Sequence, residues 1–101
     1  MFKDLFDGRV VSGKFALIAG TTTSVDIPNG VVCIKLYSND TDYKYNINTN
    51  PQAVADDKLG NGAFGVKGIM EVRVIQNGDN RKLKILPEDT GSIKVELWSA
   101  N

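Results

Sequence analysis

The chain has 101 residues, with twelve basic and twelve acidic side chains, no histidine and one cysteine, and this length predicts a single domain. A net charge of zero removes the surplus of lysine and arginine on which binding to nucleic acid or to an anionic membrane depends. The lack of histidine excludes Ser-His-Asp and Cys-His catalysis and the commonest zinc ligand, so we expect a non-enzymatic protein without cofactor or metal.

Residues 1–8 are the part of the sequence with helical spacing. Phe2, Leu5 and Phe6 recur at i, i+3 and i+4, and Gly8 follows as a C-terminal stop. A single turn is not stable alone, so this N-terminal arm must pack on something. Two hypotheses stay open: the arm covers one end of its own domain, or it inserts into a neighbouring subunit.

The remaining residues, 9–101, have the pattern of a single all-β domain. Seven segments alternate or are continuously apolar, and turn residues separate them at intervals of about 8–12 residues. These predicted strands are 13–18, 22–27, Val31–Tyr37, Tyr43–Ile47, 69–75, 82–86 and 93–98. The Asn-Gly-Asp-Asn stretch at 77–80 predicts a hairpin between the two strands that flank it. This spacing predicts an antiparallel β-sandwich, of jelly-roll or immunoglobulin-like type, with about seven strands.

Cys33 and the ends of the chain indicate the compartment. Cys33 lies among apolar residues, which predicts a buried side chain rather than a reactive thiol. The start of the chain lacks the basic and apolar regions of a signal peptide, and no apolar run approaches the roughly 18 residues of a membrane span. These features predict a soluble protein made in a reducing cytoplasm.

Residues 48–68 interrupt the strand pattern. They contain Pro51, adjacent aspartates and four glycines, which predicts a long loop, and loops of this length are often functional. The stretch 60–65 matches G-x-G-x-x-G, but a dinucleotide site also needs a strand before it and a helix after it. We interpret these glycines as a source of flexibility.

Two further motifs are interpreted as turns. Asp89-Thr90-Gly91 is the triplet of aspartic proteases, yet Pro87 and Glu88 precede it where those enzymes have an apolar strand. The oxygen-bearing side chains at 39–42 lack the spacing of an EF-hand calcium loop.

The order of features from residue 24 to residue 98 resembles one family. The features are SVDIP at 24–28, the strand Val31–Tyr37 leading into SND at 38–40, NPQA at 50–53, GAF at 62–64 and TGSIKV at 90–95. This order is similar to that of small β-sandwich accessory virion proteins of tailed bacteriophages, of the capsid-decorating or head-associated type. The resemblance implies a structural role in the virion after synthesis in the host bacterial cytoplasm, and it brings no catalytic motif.

The expected mechanism is binding through repetition. Many copies on a lattice gain by multivalency what one small contact lacks. The expected partners are the major capsid protein or other virion proteins, with the chain as a homo-oligomer or as lattice-bound copies, and with no nucleic acid and no membrane. The candidate partner-binding residues are Phe2, Leu5, Phe6, Phe64 and Trp98, with the loop 48–68 as the rim. The alternative is a carbohydrate-binding or receptor-binding module of a tail or fibre, with Trp98 as its most exposed aromatic residue.

Overall fold

The computed structural model describes residues 9–54 and 57–100, and in these ranges the chain forms eight β-strands and no helix. The strands are β1 (Val10–Leu17), β2 (Thr23–Ile27), β3 (Val31–Tyr37), β4 (Tyr43–Ile47), β5 (Ala63–Gly65), β6 (Glu71–Val74), β7 (Arg81–Pro87) and β8 (Gly91–Ser99). They form two four-stranded sheets, ordered β1-β8-β3-β6 and β2-β7-β4-β5, and every pairing is antiparallel. The predicted all-β fold with antiparallel sheets is confirmed, while the arm with Phe2, Leu5 and Phe6 lies outside the described residues.

The strands pair in nested order, like one long hairpin folded over itself. β4 pairs with β5, β3 with β6, β2 with β7 and β1 with β8, so each pair encloses the previous one in the sequence. The pairs β3–β8 and β4–β7 then join these four pairs into two sheets. The chain therefore changes sheet at every connection except the one between β4 and β5.

Besides shifts of up to three residues at the strand ends, of which the earlier start of β1 at Val10 is the largest, the structure differs from the predicted strands at two places. β5 lies inside the stretch 48–68, which the sequence predicts as loop, because three residues are too few to show a period. The hairpin predicted at 77–80 is wrong, since β6 pairs with β3 whereas β7 pairs with β2 and β4. Asn77 instead accepts a hydrogen bond from the Gly30 amide at 3.0 Å, which ties this connection to the turn between β2 and β3.

The core between the sheets follows the alternation of the strands. Its buried members come from both sheets and include Leu17, Ile34, Leu36, Tyr43, Tyr45, Leu83, Ile85, Ile93 and Val95. Cys33 is also buried, as predicted, but it lies in register with Trp98 and outside this connected cluster. Burial raises the pKa of the Cys33 thiol, which favours the protonated form.

The guanidinium of Arg81 ties two connections together at one end of the domain. Nη1 donates to the carbonyl oxygens of Val31 at 2.7 Å and Gln76 at 2.8 Å. Nη2 donates to Pro28 O at 3.0 Å, and Nε donates to Gly78 O at 2.8 Å. Because Arg81 is only 6% exposed, these carbonyl groups replace the water that the charge would otherwise need.

We expect Arg81→Met to lower the free energy of unfolding by about 2–4 kcal/mol, because several carbonyl groups lose their donor. Urea denaturation measures this loss. Lys84→Met, on the same strand but on the alternate face, is the matched control and should change stability by less than about 0.5 kcal/mol. Equal losses in the two variants would contradict a special role for Arg81.

A hydrogen-bonded cluster joins the two sheets between β4 and β6. Tyr45 Oη donates to Glu71 Oε1 at 2.8 Å and accepts from Arg73 Nε at 2.9 Å. The Arg73 Nη2 and Glu71 Oε1 atoms lie 3.9 Å apart. Burial, together with the hydrogen bond to Glu71, raises the pKa of Tyr45 to about 12. Burial also raises the pKa of the neighbouring Tyr43, whose hydroxyl is buried and has no hydrogen-bond partner among the described residues.

We expect the free energy of unfolding to fall as the pH rises from about 10 to about 12. Tyrosines of the unfolded chain lose their protons near pH 10, whereas Tyr45 keeps its proton until about pH 12, so the unfolded state gains across this interval. Below about pH 10, where tyrosine is protonated in both the folded and the unfolded chain, the contribution of Tyr45 to the free energy of unfolding is fully present. Urea denaturation at a series of alkaline pH values should give a shallower decline for Tyr45→Phe than for the unsubstituted protein. Parallel declines would contradict the raised pKa.

Candidate functional site

An open groove of about 830 Å³ lies on the outer face of the sheet β2-β7-β4-β5. Its floor is a row of side chains from three adjacent strands, because Lys44 pairs with Phe64 on one side and with Leu86 on the other. One wall is the segment after β4. The opposite wall is formed by residues just before the start of β2 and at the end of β7. The wall residues include Gly20, Thr22, Asn50, Pro51, Ala53, Val54, Asp57, Lys58, Pro87 and Glu88.

Phe64 presents an exposed aromatic ring to this groove. The side chain is 65% exposed even though it stands on a strand of the sheet. The Lys44 Nζ atom lies 5.0 Å from the ring centroid, which is a cation–π contact. The exposed part of the ring is available to a ligand.

Lys44 also holds the wall of the groove in place. Its Nζ donates to the carbonyl oxygen of Gln52 at 3.0 Å, and the residue is only 8% exposed. The Gln52 amide in turn donates to Asn61 O at 3.0 Å, so the two ends of the segment between β4 and β5 are linked. Gly62 has a φ of 116°, and a Cβ placed on it would lie 3.1 Å from the Cβ of the buried Pro51. The close approach of this wall to β5 therefore requires glycine at position 62.

Gly65 lets β5 lie flat against β4. It pairs with Tyr43, whose buried ring lies over the glycine, so that a Cβ at position 65 would overlap that ring. Since successive side chains of a strand alternate between its faces, the neighbouring Phe64 is then directed outward. The orientation of the exposed ring therefore depends on a glycine on the inner face.

The rim of the groove is rich in carboxylates. Asp42, Asp57 and Glu88 line it together with Asn50 and Lys58. This arrangement suits a ligand that has an apolar face for the aromatic ring and hydrogen-bond donors for the rim. Among the described residues, no group of three or more Cys, Asp or Glu side chains is placed to hold a metal ion.

Of the candidate partner-binding residues, the structure describes Phe64 and Trp98, and it does not bring them together. Trp98 belongs to β8 in the other sheet, where Lys35 Nζ lies 4.3 Å from its ring centroid. Its Nε1 donates to Glu96 Oε1 at 3.0 Å, and the residue is half-buried. Sequence reasoning missed Lys44, because its place in an alternating strand indicates a solvent-exposed lysine.

The motifs interpreted as turns form turns. Residues 88–90 bend between β7 and β8, and the Thr90 hydroxyl accepts a hydrogen bond from the Ala19 amide at 3.2 Å. Asp40 Oδ2 accepts from the Ser92 amide at 2.9 Å, and Asp42 Oδ1 accepts from the Lys67 amide at 2.8 Å. These carboxylates therefore bind main-chain groups of neighbouring segments.

Comparisons with protein-family models, with curated proteins and with solved structures gave no match to this chain. In the two described ranges there is no helix of the length and apolar character that a membrane span requires.

We expect Gly65→Ala to lower the free energy of unfolding by about 1–3 kcal/mol, because the added methyl group overlaps the buried ring of Tyr43. Thermal or urea denaturation measures the loss. The matched control is Gly78→Ala, where the new Cβ would meet Arg81 Cδ at an ordinary 3.8 Å. If both variants were as stable as the unsubstituted protein, the close packing of β5 on β4 would be refuted.

Proposed function

We propose that the described residues form a jelly-roll domain. The nested strand pairs and the sheet orders β1-β8-β3-β6 and β2-β7-β4-β5 support this type, because two Greek keys rolled together give this connectivity. The immunoglobulin-like type is disfavoured, since it does not alternate between sheets at almost every connection. Jelly rolls are frequent in viral capsid proteins and in lectins, which agrees with the two functions considered from the sequence.

The proposed function is that of a non-enzymatic structural protein of a phage virion, capsid-decorating or head-associated. It is supported by this connectivity, by the resemblance over residues 24–98 and by a balanced charge that suits protein contacts better than nucleic-acid contacts. Many copies bind the major capsid protein or another virion protein on a lattice or ring. A modest contact per copy suffices there, because the copies act together.

The exposed ring of Phe64 in the groove is the observation that carries the binding proposal. An aromatic side chain that is 65% exposed on the floor of a groove is an anchor of the kind found at protein interfaces. The proposed occupant is an extended segment of a neighbouring virion subunit. It places an apolar side chain on Phe64 and directs its amide or basic groups toward the acidic rim at Asp42, Asp57 and Glu88.

The test is binding of the purified chain to heads assembled from the major capsid protein encoded in the same genome. We expect Phe64→Ala to weaken this binding roughly tenfold, as loss of an aromatic anchor does. Val66→Ala is the matched control, because Val66 is 49% exposed and lies outside the groove. Far-UV circular dichroism checks that both variants are folded. Equal affinity of Phe64→Ala and the unsubstituted chain for the heads would refute the groove as the contact.

The second candidate function, carbohydrate binding, is favoured by the same ring. A sugar can stack on Phe64 while Asn50 and the carboxylates of the rim bind its hydroxyl groups. A glycan array separates the two functions: signals that are lost in Phe64→Ala and kept in Trp98→Ala indicate a sugar site in the groove. Signals lost only in Trp98→Ala would place the sugar on the other sheet.

A further inference from the structure

The strand β6 has one unpaired edge. It is the last strand of its sheet and pairs only with β3 among the described strands. The Ile75 amide donates to Val32 O at 2.8 Å, which fixes the phase of the hydrogen bonds between these two strands. Since main-chain groups of an antiparallel strand point alternately to its two sides, those of Glu71 and Arg73 face β3. The N–H and C=O groups of Val72 and Val74 therefore face the open edge.

The side chains of β6 divide by face into apolar and charged. On the outer face Val72 and Val74 are 54% and 75% exposed, and Met70 precedes them at 52%. On the inner face stand Glu71 and Arg73, which bind Tyr45. Native edge strands are commonly protected by outward lysines or by inward charges. Here the outward residues are apolar, and the two inward charges are opposite in sign.

We propose that a second copy of this chain pairs with β6 across a two-fold axis at Val72. In this antiparallel pair Val72 faces Val72 of the other copy, and Met70 faces Val74. Glu71 of each copy then faces Arg73 of the other. The two Glu71–Arg73 pairs occupy non-hydrogen-bonded positions, where side chains of paired strands lie closest.

Charge selects this register from its neighbours. The main-chain N–H and C=O groups at the open edge belong to even-numbered residues. Hydrogen bonds between the two copies need such groups on both strands, so even-numbered residues must lie opposite even-numbered residues. Moving the axis to residue 73 sets Arg73 against Arg73, and moving it to residue 71 sets Glu71 against Glu71. Like charges directly opposite are unfavourable, whereas the axis at Val72 forms two opposite-charge pairs. The strand is therefore complementary to itself in one register, as an isologous dimer requires.

The pairing joins two four-stranded sheets into one continuous sheet of eight strands. Three hydrogen-bonded positions, each with two bonds, add about six main-chain hydrogen bonds between the copies. The outward side chains of the two strands then form one apolar row in place of two exposed ones. This contact involves neither the Phe64 groove nor a virion partner, so the dimer and the proposed function can be tested independently of each other.

Analytical ultracentrifugation of the purified chain over a range of concentrations tests the pairing. We expect a reversible dimer that Val74→Lys weakens at least about tenfold, because an edge lysine opposes strand pairing. Val10→Lys is the matched control: Val10 is 43% exposed and lies on β1, the other edge strand of the same sheet. A monomer at every concentration would overturn the proposal, and so would a dimer that is lost in Val10→Lys and kept in Val74→Lys.

Amide hydrogen exchange tests the phase of the new hydrogen bonds. The Val72 and Val74 amides should exchange more slowly as the concentration rises, whereas the Arg73 amide, already bonded to β3, should be protected at all concentrations. Protection of all three amides that does not change with concentration would overturn the pairing.

Charge reversal tests the register. Glu71→Arg and Arg73→Glu should each fail to self-associate, yet a mixture of the two should dimerise, because each variant then meets its complement at both positions. Circular dichroism checks that each variant is folded, and the Val74→Lys experiment decides the question if one is not. A mixture of folded variants that stays monomeric would overturn the register.

Discussion

The hydrogen bonds of the buried Arg81 guanidinium stabilise one end of the domain, where the chain passes from one sheet to the other. A chain that changes sheet at almost every connection leaves main-chain groups that no strand pairing can satisfy. At one end of the domain these groups are carbonyls of the turn after β2 and of the connection after β6, and one guanidinium reaches both. Lysine carries its donors on a single nitrogen, so the planar fork of arginine suits this position.

Hydrogen bonds to the main chain, rather than ion pairs, hold the buried cations of this domain. Lys44 and Arg81 are both buried, and their acceptors are main-chain carbonyl oxygens, apart from a longer contact of 3.5 Å between Arg81 Nη2 and Asn77 Oδ1. The ion pair between Lys82 and Asp26 is exposed, and exposed pairs contribute little. The equal numbers of acidic and basic residues in the sequence therefore do not indicate that these side chains form ion pairs with one another. Salt screens surface charges far more than buried ones, so we expect high ionic strength to weaken the bonds of Lys44 and Arg81 less than the exposed pair of Lys82 and Asp26.

The sequence predicted elements whose pattern is local and missed those that depend on distant partners. Val31–Tyr37 and Tyr43–Ile47 have the predicted bounds, because a buried strand face repeats every second residue. The signal at 77–80 shows that the chain turns there, but it does not show which sheet the next strand joins. In the candidate site Phe64 was predictable as an aromatic residue in a loop-like segment. The burial of Lys44 was not, since it arises from a wall that folds back across the sheet.

Long strands carry the core of this domain, and short strands carry its exposed apolar surface. Of the eleven large apolar residues exposed in the described ranges, seven lie between residues 59 and 74, a stretch that contains β5 and β6. Each of these two strands is the last of its sheet, and the bond from Tyr45 to Glu71 shows that β6 lies over the β4 side of the other sheet. The edge strands β5 and β6 therefore lie on the same side of the domain. Because this side adds little to the core, packing does not constrain its exposed side chains, and they are suited to contacts with other molecules.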